Sequence, residues 1–67
     1  MNGLPKNGVN AERAAIIKLA RNKGIPYVPI ASYFTINQGR IADVMKGRLF
    51  PNTPPAKSLP ADFPTFG

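Results

Sequence analysis

The stretch from Ile30 to Val44 constrains the fold most, because its apolar residues follow the helical repeat in two short runs separated by a few polar residues. Ile30 and Phe34 lie one turn apart in the first run, and Ile41 and Val44 recur at i and i+3 in the second. Ala31 is small enough to let a partner helix approach closely. The stretch therefore predicts two short helices that cross each other after a tight turn.

The second of these helices has recognisable start and stop signals. Asn37 suits the N-cap, since its side-chain oxygen can accept from backbone N–H groups that have no partner in the first turn. Ile36 before the cap and Ile41 four residues after it fit a hydrophobic staple. Gly47 predicts a left-handed end. The second helix is therefore expected at about residues 37–46.

These residues resemble the bacterial and phage family of helix-turn-helix DNA-binding regulators, which includes the segment with which sigma factors read promoters. The resemblance covers about residues 29–47. The positions that match the family pattern are Ala31, Ile36, Asn37 and Ile41. Thr35 stands where glycine is commonest, so either Thr35 is left-handed at a cost of about 1 kcal/mol or the turn has another geometry. The resemblance implies a three-helix fold whose last helix enters the major groove of DNA.

Another helix is predicted before this stretch. Asn10 suits its N-cap, Glu12 in the first turn favours the helix dipole, and Gly24 ends it. Pro29 is expected as the first residue of the middle helix, where its missing N–H costs nothing, so that this helix runs to about Phe34.

The segment after Gly47 has a different character. Its prolines exclude a helix or a central strand, and they are Pro51, Pro54, Pro55, Pro60 and Pro64. Its larger apolar side chains are Phe50, Leu59, Phe63 and Phe66. These side chains either fold back on a core too small to close by itself, or pair with a second copy, or dock on a larger protein. The expected fold is a small all-α, three-helix helix-turn-helix domain (10–48) between a flexible N-terminal arm (1–9) and a proline-rich extended C-terminal tail (49–67).

The charge of the chain indicates the kind of partner. The 67 residues carry a formal charge of +6 and have a pI near 10.4, which favours a polyanion, usually nucleic acid and alternatively an anionic membrane surface. The sequence has no apolar run long enough to span a membrane, no signal-peptide pattern, and no Trp or Phe anchor on its basic first helix. A cytoplasmic, nucleoid-associated protein without a membrane partner is expected.

The candidate base contacts lie in the second helix of the motif. They are Asn37, Gln38, Gly39, Arg40 and Asp43. Gln38 can pair with adenine and Arg40 with guanine, while Gly39 allows the backbone to approach the groove. The alternative for Asn37 is a cap only, and for Gln38 and Arg40 a solvated helix face.

The candidate phosphate contacts flank these positions. They are Ser32, Tyr33, Lys46 and Arg48. Tyr33 can equally lie against the core, and Asp43 can accept from cytosine or hold Arg40 or Lys46 in place. The basic residues of the first helix either extend this surface or only favour the helix dipole, and they are Lys18, Arg21 and Lys23.

Enzymatic chemistry is not expected. The chain has no histidine and no cysteine, and its three carboxylates, Glu12, Asp43 and Asp62, are not spaced for acid–base work or metal binding. No cofactor or metal is therefore expected. The sequence predicts a DNA-binding transcriptional regulator of a bacterium, phage or mobile element that acts as a homodimer on double-stranded DNA. The alternative is an adaptor that docks on a larger protein such as RNA polymerase through its fold and its Phe/Pro tail.

Overall fold

Three α-helices make up the regular structure of residues 8–64, which are the residues that the computed structural model describes. They are α1 (Ala11–Asn22), α2 (Tyr27–Phe34) and α3 (Gln38–Met45), and each packs against the other two. No strand occurs in this part of the chain, so the expected all-α class is confirmed. Most of the predicted N-terminal arm, and Phe66 in the predicted tail, lie outside the described residues.

Two of the helices begin at asparagine caps, as predicted. The Asn10 Oδ1 atom accepts from the backbone N–H of Arg13 at 2.8 Å at the start of α1. At the start of α3, the Asn37 Oδ1 atom accepts from the backbone N–H of Gly39 at 2.6 Å. Each cap gives a partner to a backbone donor that the first turn of a helix leaves unbonded.

The start of α2 differs from the prediction. The helix begins at Tyr27, after an extended Pro26 with φ −64° and ψ 166°, so Pro29 is its third residue rather than its first. A proline is tolerated there because the N–H groups of the first turn have no helical acceptor in any case. The Arg21 guanidinium lies 4.6 Å above the Tyr27 ring, a contact from α1 that helps to fix the first turn of α2.

All three helices end at a residue in the left-handed conformation. These residues are Gly24 (φ 86°), Thr35 (φ 56°) and Gly47 (φ 82°). The residue after each donates its N–H back to the last turn, in the pattern of a Schellman motif: Ile25 N to Ala20 O (3.0 Å), Ile36 N to Ala31 O (2.9 Å) and Arg48 N to Asp43 O (2.8 Å). Thr35 therefore takes the first of its two expected alternatives and adopts a conformation that costs a β-branched residue about 1–2 kcal/mol.

The core is apolar throughout the described residues, where no polar or charged side chain is buried. Its members are Val9, Ala14, Ile17, Ala20, Ile25, Ile30, Ala31, Phe34, Ile41, Val44 and Phe63. Nine of these lie within or between the three helices, and the remaining two come from the predicted arm and tail. The segments on both sides of the helices thus help to close a core that three short helices leave open.

The residues just before α1 cover the turn between α2 and α3. A Cβ atom on Gly8, which has φ 77°, would lie 2.5 Å from Ile36 Cγ2, so only glycine fits this approach. The Gly8 carbonyl accepts from Arg13 Nη1 at 2.9 Å, and the neighbouring Val9 is 1% exposed. Ile36 is partly buried against the core that contains Ile41, as expected for the staple.

The segment after α3 runs back over the helices. The Ala56 N–H donates to the Ala15 carbonyl of α1 at 2.9 Å, and the Phe63 ring centroid lies 4.6 Å from that of Tyr33 and 6.1 Å from that of Phe34. The partly buried apolar residues of this segment that also pack on the core are Leu49, Phe50 and Leu59. Of the alternatives for these side chains, Phe63 thus takes the fold-back one.

Candidate nucleic-acid interface

Several side chains of α3 point away from the core, and three of them form one row along the helix. Ile41 and Val44 are 0% and 1% exposed and fix which side of α3 faces the core. Gln38, Ala42 and Lys46 lie on the other side at intervals of four residues, and we call them the outer row. Gln38 and Lys46 are exposed, and Ala42 is partly exposed.

The polar groups of the outer row have no bonding partner among the described residues. Neither the Gln38 amide nor the Lys46 ammonium makes a hydrogen bond or ion pair with another side chain or carbonyl of residues 8–64. An amide, a methyl and a cation thus follow one another along a helix that is held in place from its other side. This sequence of groups is suited to hydrogen bonding, apolar contact and charge pairing along an elongated ligand.

Two of the predicted base-contact residues, Asn37 and Gly39, are joined by the hydrogen bond that caps α3. The Asn37 side chain is the N-cap of α3 and points its oxygen at the Gly39 N–H. A Cβ atom on Gly39 would lie 3.0 Å from that oxygen, a contact tight enough to push on the cap. Gly39 therefore has a structural reason for lacking a side chain, in addition to the close approach that the sequence suggested.

The other two, Arg40 and Asp43, belong to a three-residue charge network with Arg48. Arg40 Nη2 lies 2.9 Å from Asp43 Oδ2, and Arg48 Nη1 lies 3.4 Å from Asp43 Oδ1. The side chains of Arg40 and Asp43 are 38% and 18% exposed, and Arg40 Nε is buried without a hydrogen-bond partner among the described residues. The carboxylate thus holds Arg40, as one of its predicted alternatives states, but its second partner is Arg48 rather than Lys46.

The predicted phosphate contacts fall into two groups. Ser32, Lys46 and Arg48 are exposed, and the Arg48 side chain keeps 68% of its surface accessible. Tyr33 instead packs against the core and donates its hydroxyl to Asp62 Oδ1 at 2.7 Å. This hydrogen bond, together with burial and the Asp62 charge, raises the pKa of Tyr33. The Tyr33 hydroxyl is therefore already bound within the chain.

Two of the three basic residues predicted for the first helix, Lys18 and Arg21, are bound within the chain as well, whereas Lys23 is exposed at the C-cap of α1. Lys18 Nζ donates to the carbonyls of Phe50 and Thr53, at 2.7 and 2.5 Å. Arg21 Nη1 donates to the Ile25 carbonyl at 2.7 Å. These cations satisfy carbonyl oxygens of non-helical segments and fasten those segments to α1.

Arg13 has the same function at the other end of α1. Its Nη1 atom donates to the carbonyls of Gly8 and Phe34, at 2.9 and 3.4 Å, and its guanidinium lies 5.2 Å from the centre of the Phe34 ring. Sequence reasoning missed these roles of Arg13 and Lys18, because their acceptors are backbone atoms up to 35 residues away and carry no residue-type signal.

Neither a metal cluster nor a membrane-spanning helix occurs in the described part of the chain. Residues 8–64 contain no group of three or more His, Cys, Asp or Glu side chains placed to hold a metal ion. None of the three helices has the length and apolar content needed to cross a bilayer. Comparisons with protein-family models, with curated proteins and with solved structures yield no match. The interface is therefore argued from its own geometry.

Proposed function

We propose that this protein is a sequence-specific, double-stranded-DNA-binding transcriptional regulator, in which α2 and α3 form a helix-turn-helix and α3 enters the major groove. The observation that carries the proposal is the uncovered outer row on a helix anchored by Ile41 and Val44, in a chain of net charge +6. An α-helix fits the major groove in width and depth, and a basic chain is attracted to its phosphates. In this proposal residues 10–48 bind DNA, and the described part of the tail, residues 49–64, covers the domain.

The exposed groups have different tasks in this complex. Gln38, in the first turn of α3, reads a base edge, because the N-terminal residues of a recognition helix lie deepest in the groove. Lys46 and Arg48, at and after the end of α3, pair with phosphates and set the register. Ser32 on α2 donates to a phosphate of the adjoining backbone. A regulator that acts on DNA in this way is expected in the cytoplasm, associated with the nucleoid.

A homodimer is the economical form of such a regulator. One short helix contacts few base pairs, whereas two copies on a two-fold symmetric site double the contacts. The half-sites would then lie about 34–36 Å apart, one turn of DNA.

The adaptor alternative, with RNA polymerase or another protein as partner, receives less support. It needs the phenylalanines of the predicted tail to be presented to a partner, and Phe63 is 5% exposed beneath its contacts with Tyr33 and Phe34. A side chain that already closes the core is not free to dock.

The decisive experiment is selection of bound sequences from randomised duplex DNA at about 0.15 M salt, where weak charge-driven binding is largely suppressed. We expect a two-fold symmetric motif. Binding that falls with salt and enriches no motif would contradict a sequence-specific regulator and return the adaptor to first place.

Two exposed amide residues provide a matched pair of variants for this selection. Gln38→Ala removes the proposed base contact and is expected to relax the motif at one position in each half-site, with a loss of about 1–3 kcal/mol in discrimination. Asn22→Ala removes an exposed amide at the end of α1 and should leave the motif unchanged. Equal effects of the two variants would remove Gln38 from the recognition surface.

A further inference from the structure

We infer that α3 reads A·T base pairs, with the Gln38 amide on an adenine and the Ala42 methyl group against the C5-methyl of a thymine. This inference rests on the proposed function and assigns the bases that the outer row recognises. Sequence reasoning placed Gln38 among the base contacts and left Ala42 out, because alanine carries no polar signal.

Gln38 provides the hydrogen-bonding half of the recognition. Its amide is exposed in the first turn of α3 and is not bound to any other described residue. A glutamine amide combines one acceptor and two donors, which match the N6 donor and N7 acceptor of adenine in the major groove. Guanine presents two acceptors there, which a single amide satisfies less well.

Ala42 provides the apolar half. It lies four residues beyond Gln38 on the outer row, about 6 Å along the axis and therefore on the order of one or two base steps away. Gly39, three residues before it on the same face, has no side chain to keep a base edge at a distance. Alanine offers a methyl group and nothing polar, and the thymine methyl is the apolar group of the major groove.

The residues that would read a G·C pair are engaged elsewhere. Arginine is the usual partner of guanine, and a carboxylate can accept from the amino group of cytosine. Here the Arg40 guanidinium pairs with Asp43 at 2.9 Å, and the other Asp43 oxygen faces Arg48 at 3.4 Å. The two groups in the first two turns of α3 that could select a G·C pair, Arg40 and Asp43, are thus bound to each other.

Modified duplexes test the inference directly on the wild-type chain. In the best duplex from the selection, each thymine is replaced in turn by deoxyuridine, which removes only the C5-methyl group, and each adenine by 7-deazaadenine, which removes only N7. We expect one deoxyuridine per half-site to weaken binding about fourfold, the value of one buried methyl group, and one 7-deazaadenine to weaken it about 2- to 10-fold. Fluorescence anisotropy of labelled duplexes measures both.

Variants then assign each base to its side chain. In Ala42→Gly the deoxyuridine effect should disappear while the 7-deazaadenine effect remains, and in Gln38→Ala the reverse should hold. Ala11→Gly, at an exposed alanine of α1, is the control that should keep both effects. Far-UV circular dichroism shows whether each variant is folded under the binding conditions. If Ala42→Gly is not folded, the modified duplexes with the wild-type chain still test the inference.

The outcomes separate the inference from the function on which it rests. The inference is supported if both modified bases weaken binding, and if Ala42→Gly abolishes the deoxyuridine effect and Gln38→Ala the 7-deazaadenine effect. A selected motif with G·C pairs at the contacted positions, or an A·T motif indifferent to deoxyuridine, overturns the inference and leaves the regulator intact. Selection without any motif overturns both.

Discussion

The polar groups of α1 and those of α3 serve opposite purposes. On α1, the charged ends of Arg13, Lys18 and Arg21 all donate to backbone carbonyls of segments that lie outside that helix. On α3, the ends of Gln38 and Lys46 are bound to no other described residue. α1 thus uses three of its cations to hold the chain together, whereas α3 presents an amide and, at its end, a cation to solvent.

This difference shows that net charge is a poor measure of a binding surface. The charge of +6 includes the cations of α1, whose positive potential persists but whose donors are already occupied. Under the proposed function, direct pairing with phosphates falls to exposed cations such as Lys46 and Arg48. If the proposed function is right, variants of the bound cations of α1 change stability, and variants of the exposed groups of α3 change DNA recognition.

The largest change in stability is expected from Phe63→Ala, which removes a side chain that stabilises the core. The 5% exposed ring closes the core over Tyr33 and Phe34, and its loss should cost about 3–5 kcal/mol, comparable with the whole stability of so small a domain. Urea denaturation followed by circular dichroism measures this. Phe63→Leu, which keeps most of the volume, should cost less than about 1.5 kcal/mol. A loss below about 1 kcal/mol for Phe63→Ala would place this ring outside the core.

Lys18→Met should destabilise the fold by about 1.5 kcal/mol, since it removes the donor of two carbonyls while keeping the apolar stem. Lys23→Met, at the exposed C-cap of the same helix, should change the free energy of unfolding by less than about 0.5 kcal/mol. The slope of log affinity against log salt should be unchanged in Lys18→Met. A shallower slope would mean that Lys18 contacts phosphate, and the contrast between α1 and α3 would fail.

Thr35→Gly should raise stability by about 1 kcal/mol, because glycine adopts φ 56° without the steric cost that threonine pays. Ser32→Gly on the exposed side of α2 should do the opposite and cost about 0.5–1 kcal/mol. Thermal unfolding of both variants gives the comparison. If Thr35→Gly is also destabilising, the left-handed turn before α3 is not the native one.

Lys46→Ala is expected to leave the free energy of unfolding within about 0.5 kcal/mol and yet to change DNA binding. Affinity should fall for all sequences alike, and the salt slope should decrease by about 0.9 for each lost phosphate contact. Lys57→Ala, in the segment that packs along α1, should leave the slope as it is. A change of motif in Lys46→Ala would instead make Lys46 a base contact.

The smallest effect concerns pH. The hydrogen bond to Asp62 raises the pKa of Tyr33, so the contact is intact below the ordinary tyrosine value and is lost as the pH rises through the raised one. Absorbance of ionised tyrosine should show one residue that titrates late in the wild type and earlier in Asp62→Ala. The DNA motif selected by the two proteins should be identical, because the Tyr33 hydroxyl is bonded within the chain and is not expected to contact DNA. A wild-type titration that matches Asp62→Ala would exclude this bond in solution.

The parts of this fold that were predictable from sequence are governed by neighbouring residues. The caps at Asn10 and Asn37 and the stops at Gly24 and Gly47 follow from side-chain and backbone chemistry within one helical turn, and the structure confirms all four. The left-handed Thr35 was one of two alternatives, since local chemistry gives its cost but not the packing that outweighs the cost.

The rest depends on contacts between distant segments. The first turn of α2 is contacted by Arg21 from α1, and the role of Lys18 depends on a carbonyl 32 residues away. In the candidate site, spacing predicted both a base contact for Arg40 and a pair between Arg40 and Asp43; the structure shows the pair, and the base contact stays a prediction. Ala42 joins the candidate site because the buried Ile41 and Val44 show which side of α3 faces outward, and their burial depends on the whole fold.

The late position of Phe63 in the chain also bears on how the protein is made. Helices form within about microseconds, but synthesis proceeds at roughly 5–20 residues per second, so the ribosome needs on the order of a second or more to go from Met45 to Phe63. Until the segment that contains Phe63 has been made, the three helices lack the aromatic ring that covers Tyr33 and Phe34. The core is therefore expected to close only at the end of synthesis, when this segment becomes free to pack on the helices.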